Sequence, residues 1–336
     1  MRAVEQPNIT GRSSHSPELN FTHVETIEPA YGQVTVDIAA AGINRADLLQ
    51  ARGLYPPPPG ASTILGLEFS GIVSACGPGV TSFAPGDRVI GLTDSGAYSE
   101  QITIAADLLL RVPEPVSLID AGGIMEAACT VWSNLYDRAR LLPGQSVLIH
   151  GASGGVGSFA IQLASALGST VLATARTPER ADRCRAFGAD HAFAYARPQG
   201  EPTFDNDLPQ LVREVTHDGV DVILDVLGGQ YLSANLHSLA LGGRLVTIGT
   251  QRGARAELDL GLVMSRRLAL HGTTLRSRPL EEKAEIVRAV GAHVLPLLAS
   301  GQIVPVTHAT FALEDASAAH ALLDSGEVFG KVLLLP

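Results

Sequence analysis

Cysteine is scarce: Cys76, Cys129 and Cys184 are the only three, an odd number set far apart. That pattern argues against a disulfide framework and a thiolate metal cluster, and makes a reducing compartment the simple expectation. Basic charge is also short, with 24 Lys and Arg against 34 Asp and Glu and a formal charge of -10. A nucleic-acid surface needs a clustered excess of Lys and Arg; only local Arg pairs occur, so a small-molecule partner is expected instead. The amino-terminal MRAVEQPNITGRSSHSPELN lacks the basic stretch and apolar block of a secretory signal. No uninterrupted apolar run reaches the roughly 18 residues of a membrane span. A soluble cytoplasmic protein is the default expectation. There is no internal repeat, and YPPPPG is the only biased stretch.

What is present is a chain of 336 residues, 46% hydrophobic and 17% charged, long enough for about two domains. From about Gln33 to Arg111 it reads as short β-rich segments, QVTVDIAAAG, SGIVSACG, DRVIGL and AYSEQITIA, punctuated by Gly, Pro and Asp at turns. AGGIMEAACTVWSNLYDRARLLPG is expected to be helical. Beyond it, SVLIH, STVLATA, DHAFAY, VDVILDV and GRLVTIG are apolar runs separated by helical patterns, which predicts a parallel sheet covered by helices. RPLEEKAEIVRAVGAHVLPLLASG reads as one long helix and GKVLLLP as a closing strand.

HGASGGVGSFAIQLASALG places four glycines, Gly151, Gly154, Gly155 and Gly157, within seven residues at a strand-to-helix turn. Val156, Phe159, Ala160, Leu163 and Leu167 then fall at helical spacing on one face. Bare backbone there lets a pyrophosphate approach the helix amino terminus, whose free N–H groups and dipole favour an anion. The spacing is GxxGxxG rather than GxGxxG, and the competing reading is that the glycines merely pack helix on strand. The next strand ends ATARTPER, with Arg176 near the place where an acid would hold the 2′-hydroxyl of NAD. Thr177 can cap the next helix, Pro178 opens it, and Arg180 lies one turn in. Two guanidiniums and a hydroxyl suit the 2′-phosphate of NADP; the competing reading is a solvated face in which these arginines pair with Glu179 or Asp182.

Four stretches, AAGINRADLLQARGLYPPPPG, TVWSNLYDRARLLPGQSVLIHGASGGVG, GVDVILDVLGG and GKVLLLP, resemble the zeta-crystallin-like quinone oxidoreductases of the medium-chain dehydrogenase/reductase superfamily. Within them the chain is most similar to the branch containing the tumour-suppressor-inducible quinone oxidoreductase. The resemblance runs from about Ala39, and the first 35 residues match least well. It implies an α/β protein with a GroES-like β-rich catalytic domain, residues 1–124 and 268–336, and a Rossmann NADP-binding domain, residues 125–267. The site is expected in a cleft between them.

Alcohol-oxidising members of the superfamily carry a catalytic zinc held by Cys and His, and many carry a four-cysteine structural lobe. Here Asn44 stands at the position resembling the first ligand, and Gly66-Leu67-Glu68 replaces Gly-His-Glu. No cysteine falls between Leu92 and Arg111, where the structural lobe would belong. Zinc needs three or four converging N, S or O ligands, so no metal is expected. Reduction of a quinone or conjugated enone, needing mainly positioning and a dry pocket, suits that limitation.

By resemblance, Tyr55 lies beside nicotinamide and substrate, where its phenol would donate a hydrogen bond to a carbonyl oxygen gaining charge. The competing reading is a tyrosine anchoring a proline-rich surface loop. Asn44 and Ser153 resemble residues near the nicotinamide and the cofactor; each also fits a satisfied turn residue. Thr130 would contact the nicotinamide carboxamide. Gly154, Gly155 and Val156 would lie along the pyrophosphate, Tyr195 near the adenine, and Gly249 and Thr250 after the fifth strand of the nucleotide domain. Gly272 and Thr273, with Phe329, Gly330 and Lys331, would close over the nicotinamide end, Lys331 alternatively being plain surface charge. His150 reads as a satisfied core histidine.

Where relatives carry two bulky aromatics before Thr-Val-Trp, this chain has Ala128 and Cys129, which implies a wider acceptor pocket. Arg176 replaces a glycine usual in relatives. The expected activity is a zinc-free transfer of reducing equivalents from NADPH to a quinone or similar conjugated carbonyl. The alternatives are reduction of an enoyl thioester and NADPH binding with little turnover. RRLALHGTTLRS reads as an apolar edge strand with basic flanks, from which a homodimer is expected.

Overall fold

The computed structural model describes residues 1–7, 17–195 and 204–336, so part of the amino-terminal stretch read above lies outside the described residues. The chain divides into two compact units, Met1–Cys129 with Leu275–Pro336, and Thr130–Thr274. Both divisions fall a few residues beyond 124 and 267. At the first, the Glu126 N–H donates to the Glu68 carboxylate at 2.9 Å, which holds the start of helix Met125–Val131 to the first unit. At the second, strand Ala269–Gly272 pairs with Leu239–Thr247 and belongs to the second unit's sheet. No helix among the described residues is long and apolar enough to cross a membrane.

The first unit holds a seven-stranded sheet whose hub is Gln33–Gly42, paired to Glu68–Cys76, Gln101–Ala105 and Lys331–Leu335. Val34 and Val36 are buried while Asp37 is exposed. Register shifts at Thr35/Val36 and Ile38/Ala40 mark bulges, which bend a strand and increase its twist. RPLEEKAEIVRAVGAHVLPLLASG is not the single helix expected from its periodicity. It breaks at Val294 into Leu280–His293 and Leu295–Ala299. Pro296 is the cause: it offers no N–H, and its ring clashes with a carbonyl four residues back in a continuous helix.

The second unit holds six parallel strands in the order His191–Ala194, Thr170–Ala175, Ser146–Ile149, Val220–Asp225, Leu239–Thr247 and Ala269–Gly272. The chain winds outward from Ser146–Ile149 on one side, then returns to wind outward on the other. The switch point, where ligands of such sheets bind, lies at the carboxyl ends of Ser146–Ile149 and Val220–Asp225. Val147, Leu148 and Ile149 are fully buried, as expected for a strand covered on both faces. Leu148, Leu172, Ile223 and Leu245 form a core with Leu208 and Val212 of helix Phe204–Thr216. Ala269–Gly272 is the edge strand that RRLALHGTTLRS predicted.

The turn after Ser146–Ile149 is tightly closed. Gly151 adopts φ +62°, and a Cβ on Gly157 would sit 2.5 Å from the Gly151 carbonyl oxygen and 2.6 Å from the Ala152 Cα. Gly157→Ala is therefore expected to cost about 2 kcal/mol of stability through overpacking, seen as a lowered thermal midpoint. Wild-type melting would contradict this packing.

Candidate active site

In the second unit, helix Gly155–Ala166 starts from Gly154, which has extended backbone and no side-chain cap. A Cβ on Gly154 would meet only the Gly151 carbonyl oxygen, at an ordinary 3.5 Å. Packing of helix on strand thus accounts for Gly151 and Gly157 but leaves Gly154 unexplained. Its bare backbone adjoins the first-turn N–H groups of Gly155 and Val156, which a helix cannot satisfy internally. That cradle fits a phosphate.

Ser153, buried beside it, accepts a hydrogen bond from Arg180 Nη1 at 3.2 Å. Thr177 caps helix Pro178–Ala186, its hydroxyl accepting the Arg180 N–H at 3.4 Å, and Arg176 is exposed at the end of Thr170–Ala175. The glycine turn and the start of the second helix are thereby joined. Asp182, a candidate partner for these arginines, pairs with Arg185. Tyr195 donates its N–H to the Ala175 carbonyl at 3.0 Å, and its ring packs on the apolar core. Gly249 lies against Val226, and Thr250 is exposed after strand Leu239–Thr247. His150 is buried, with Thr174 Oγ1 at 2.8 Å from Nδ1 and Asn235 Oδ1 at 2.7 Å from Nε2, and burial lowers its pKa.

Thr130 and Thr273, both singled out from the sequence, are linked by a residue that was not. Asn134, buried in a π-helical turn, donates to the Thr130 carbonyl at 2.7 Å and accepts from the Thr273 hydroxyl at 2.5 Å. Gly272, beside Thr273, is exposed with open space around it. The one available signal for Asn134 was a polar residue at the centre of an apolar helical stretch.

In the first unit, Asn44 and Lys331 meet at Glu68. Asn44 Nδ2 donates to Glu68 Oε1 at 2.9 Å, and Lys331 Nζ donates to Asn44 Oδ1 at 2.7 Å and to Glu68 Oε1. Glu68 Oε2 accepts the Glu126 N–H. All three side chains are buried, so Lys331 is not the surface charge that one reading of the sequence allowed. The carboxylate is committed to an ammonium, an amide and a backbone N–H. Among the described residues, no three His, Cys, Asp or Glu side chains are grouped to hold a metal. The preceding Gly330 has φ +88° and lies against the Val306 carbonyl, and Phe329 is buried.

Asp47 lies next to this cluster. It accepts the Asn44 N–H at 2.7 Å and the Tyr98 hydroxyl at 3.0 Å, and Tyr98 also meets His320 Nε2 at 3.1 Å. Burial raises Asp47 to about 6 against the opposing pull of these bonds and of Lys331 and Arg276, and burial lowers His320 to about 3. Tyr55 is half-buried, with the Arg276 guanidinium carbon 5.4 Å from its ring centroid. Burial raises the Tyr55 phenol, and the charge on Arg276 pulls it back. Ala128 and Cys129 are fully buried, and burial pushes the Cys129 thiol well above its usual range.

Two family models match: the alcohol dehydrogenase GroES-like domain over residues 30–114 and the zinc-binding dehydrogenase over residues 155–292. The quinone oxidoreductase of Escherichia coli, solved in complex with NADPH, is 30% identical, with all of both chains covered and a TM-score of 0.86. That of Pseudomonas syringae pv. Tomato DC3000 is also 30% identical with a TM-score of 0.86, covering 100% of this chain and 99% of that one. The chain belongs to the quinone oxidoreductase-like, zinc-free branch of the medium-chain dehydrogenases/reductases. A mycocerosic acid synthase-like polyketide synthase of Mycobacterium tuberculosis is 34% identical over 318 residues. Those residues are 94% of this oxidoreductase but 15% of the synthase, so the chain spans a small part of that relative's length.

Proposed function

We propose that this oxidoreductase transfers reducing equivalents from NADPH to a quinone or similarly conjugated carbonyl. The observation that carries the reading is the closed Lys331–Glu68–Asn44 cluster. The alcohol-oxidising members of the superfamily use a Lewis acid to stabilise the alkoxide, and these residue types, committed to one another, offer no ligand set for one. An electron-poor acceptor needs only orientation and a hydrogen-bond donor for the oxygen that gains charge.

Bound NADPH supplies the hydride. Gly151, Gly154, Gly155, Val156 and Gly157 form the pyrophosphate cradle with Ser153, while Arg176, Thr177 and Arg180 take the 2′-phosphate. Tyr195 serves the adenine side, and Gly249 and Thr250 meet the cofactor from the end of strand Leu239–Thr247. Thr130, Gly272, Thr273, Phe329, Gly330 and Lys331 hold the nicotinamide end, with Asn44. Tyr55 donates its phenol proton to the acceptor. The NADPH complex of the E. coli relative supports the choice of cofactor. Identity to a polyketide synthase favours a second reading, reduction of an enoyl thioester.

Absorbance-monitored NADPH oxidation with ortho-quinones, para-quinones, enones and one enoyl thioester separates these readings. Quinone or enone turnover is expected. Gly154→Ala and the double variant Arg176→Ala/Arg180→Ala should each raise the KM for NADPH at least about tenfold, the double variant sparing NADH. Turnover with the thioester alone would transfer the protein to the second reading, and tight NADPH binding without turnover would leave a binding role.

The edge strand Ala269–Gly272, with exposed Leu270 and the exposed Leu260 and Met264 on the preceding helix, supports pairing with a second copy. Light scattering after size exclusion at micromolar concentration should give twice the 35.1 kDa chain mass. A monomer alone would remove the homodimer.

A further inference from the structure

Arg276 is fixed at two of its guanidinium nitrogens. Its Nε donates to the Asp94 carbonyl at 2.6 Å, and its Nη2 donates to Gln50 Oε1, also at 2.6 Å. Gln50 belongs to helix Arg45–Ala51 and is fully buried. Asp94 is in turn gripped by Lys283 of helix Leu280–His293, whose Nζ reaches both carboxylate oxygens, at 2.6 and 2.7 Å. The guanidinium itself bonds to carbonyl oxygens rather than carboxylates, and its Nη1 is buried without a partner. A buried cation is costly unless it is well paired, so a side chain held this way carries positive charge that its own contacts do not cancel. What it faces is the ring of Tyr55, 5.4 Å from the centroid.

We propose that Arg276 is a positioning residue for Tyr55, holding a positive charge against the phenol ring so that the hydroxyl releases its proton to the reduced acceptor. This rests on the role of Tyr55 given above. As the acceptor gains a hydride and its electron pair, its oxygen takes the Tyr55 proton. The Tyr55 O–H bond breaks, an O–H bond forms on the acceptor, and the phenolate recovers a proton from water. NADPH is oxidised and the acceptor is reduced by two electrons. Arg276 stabilises the phenolate in between. The other charged groups acting on Tyr55 are Glu126 and Asp94, and both oppose its ionisation. Arg276 is thus the acidifying influence in this environment.

The test compares Arg276→Met and Arg276→Lys by two readouts: NMR titration of ring-labelled tyrosine in the full chain, with Tyr55→Phe assigning the signal, and the pH profile of kcat. In the Met variant the Tyr55 titration should move upward, the descending limb of kcat should follow it, and kcat at neutral pH should fall about tenfold. The Lys variant should restore part of each. Arg276→Gln, neutral but still an N–H donor, replaces the Met variant if that fails to fold. An unmoved Tyr55 titration in the neutral variant overturns the proposal even if activity falls, because the loss is then structural. Full turnover by Tyr55→Phe overturns the role of Tyr55 itself, and the titration distinguishes that failure from the first.

Discussion

A fully buried carboxylate organises the first unit. Glu68 lies in the strand next to the sheet hub, and an ionised carboxylate there costs several kcal/mol unless it is paired and hydrogen-bonded. The chain supplies that pairing from three distant places: Lys331 on the last strand, Asn44 at the end of the hub strand, and the N–H of Glu126 at a helix start. One charge therefore ties the carboxyl-terminal strand to the amino-terminal sheet. It also fixes Asn44, from which helix Arg45–Ala51 begins and against which Asp47 is held. By resemblance Asn44 stands where alcohol-oxidising relatives carry their first metal ligand, and here its amide is committed to Glu68 and Lys331 instead.

In the second unit the organising constraint is steric. Gly151 and Gly157 are demanded by a turn that lets helix Gly155–Ala166 close onto its strand, while Gly154 is free of that demand. The division separates the glycines that the fold needs from the one whose use is proposed above to be a ligand's. Arg180 then links the glycine turn to the next helix through Ser153, so the two segments proposed to meet the pyrophosphate and the 2′-phosphate are mechanically joined.

The parallel sheet was legible in the sequence because its strands are short apolar runs between turn residues, and the glycine turn because its spacing sits between a strand and a helical pattern. The break at Val294 was obscured by apolar spacing that continues across Pro296. The polar networks left no local trace. Lys283 meets Asp94 across 189 positions, Arg276 meets Gln50 across 226, and Tyr98 meets His320 across 222. No periodicity or motif encodes such pairings, which follow only from sheet order and helix placement. Lys331 opens the apolar closing strand, and the sequence, which offered it a place at the nicotinamide end or plain surface charge, held no sign of the Glu68 carboxylate beside it.

A double-mutant cycle on Glu68→Gln and Lys331→Met, followed by denaturant unfolding, tests most directly whether this buried pair organises the first unit. Each single variant should cost about 3 kcal/mol, and the coupling between them should exceed about 2 kcal/mol. A coupling near zero would mean that the two charges are held independently, contradicting the account.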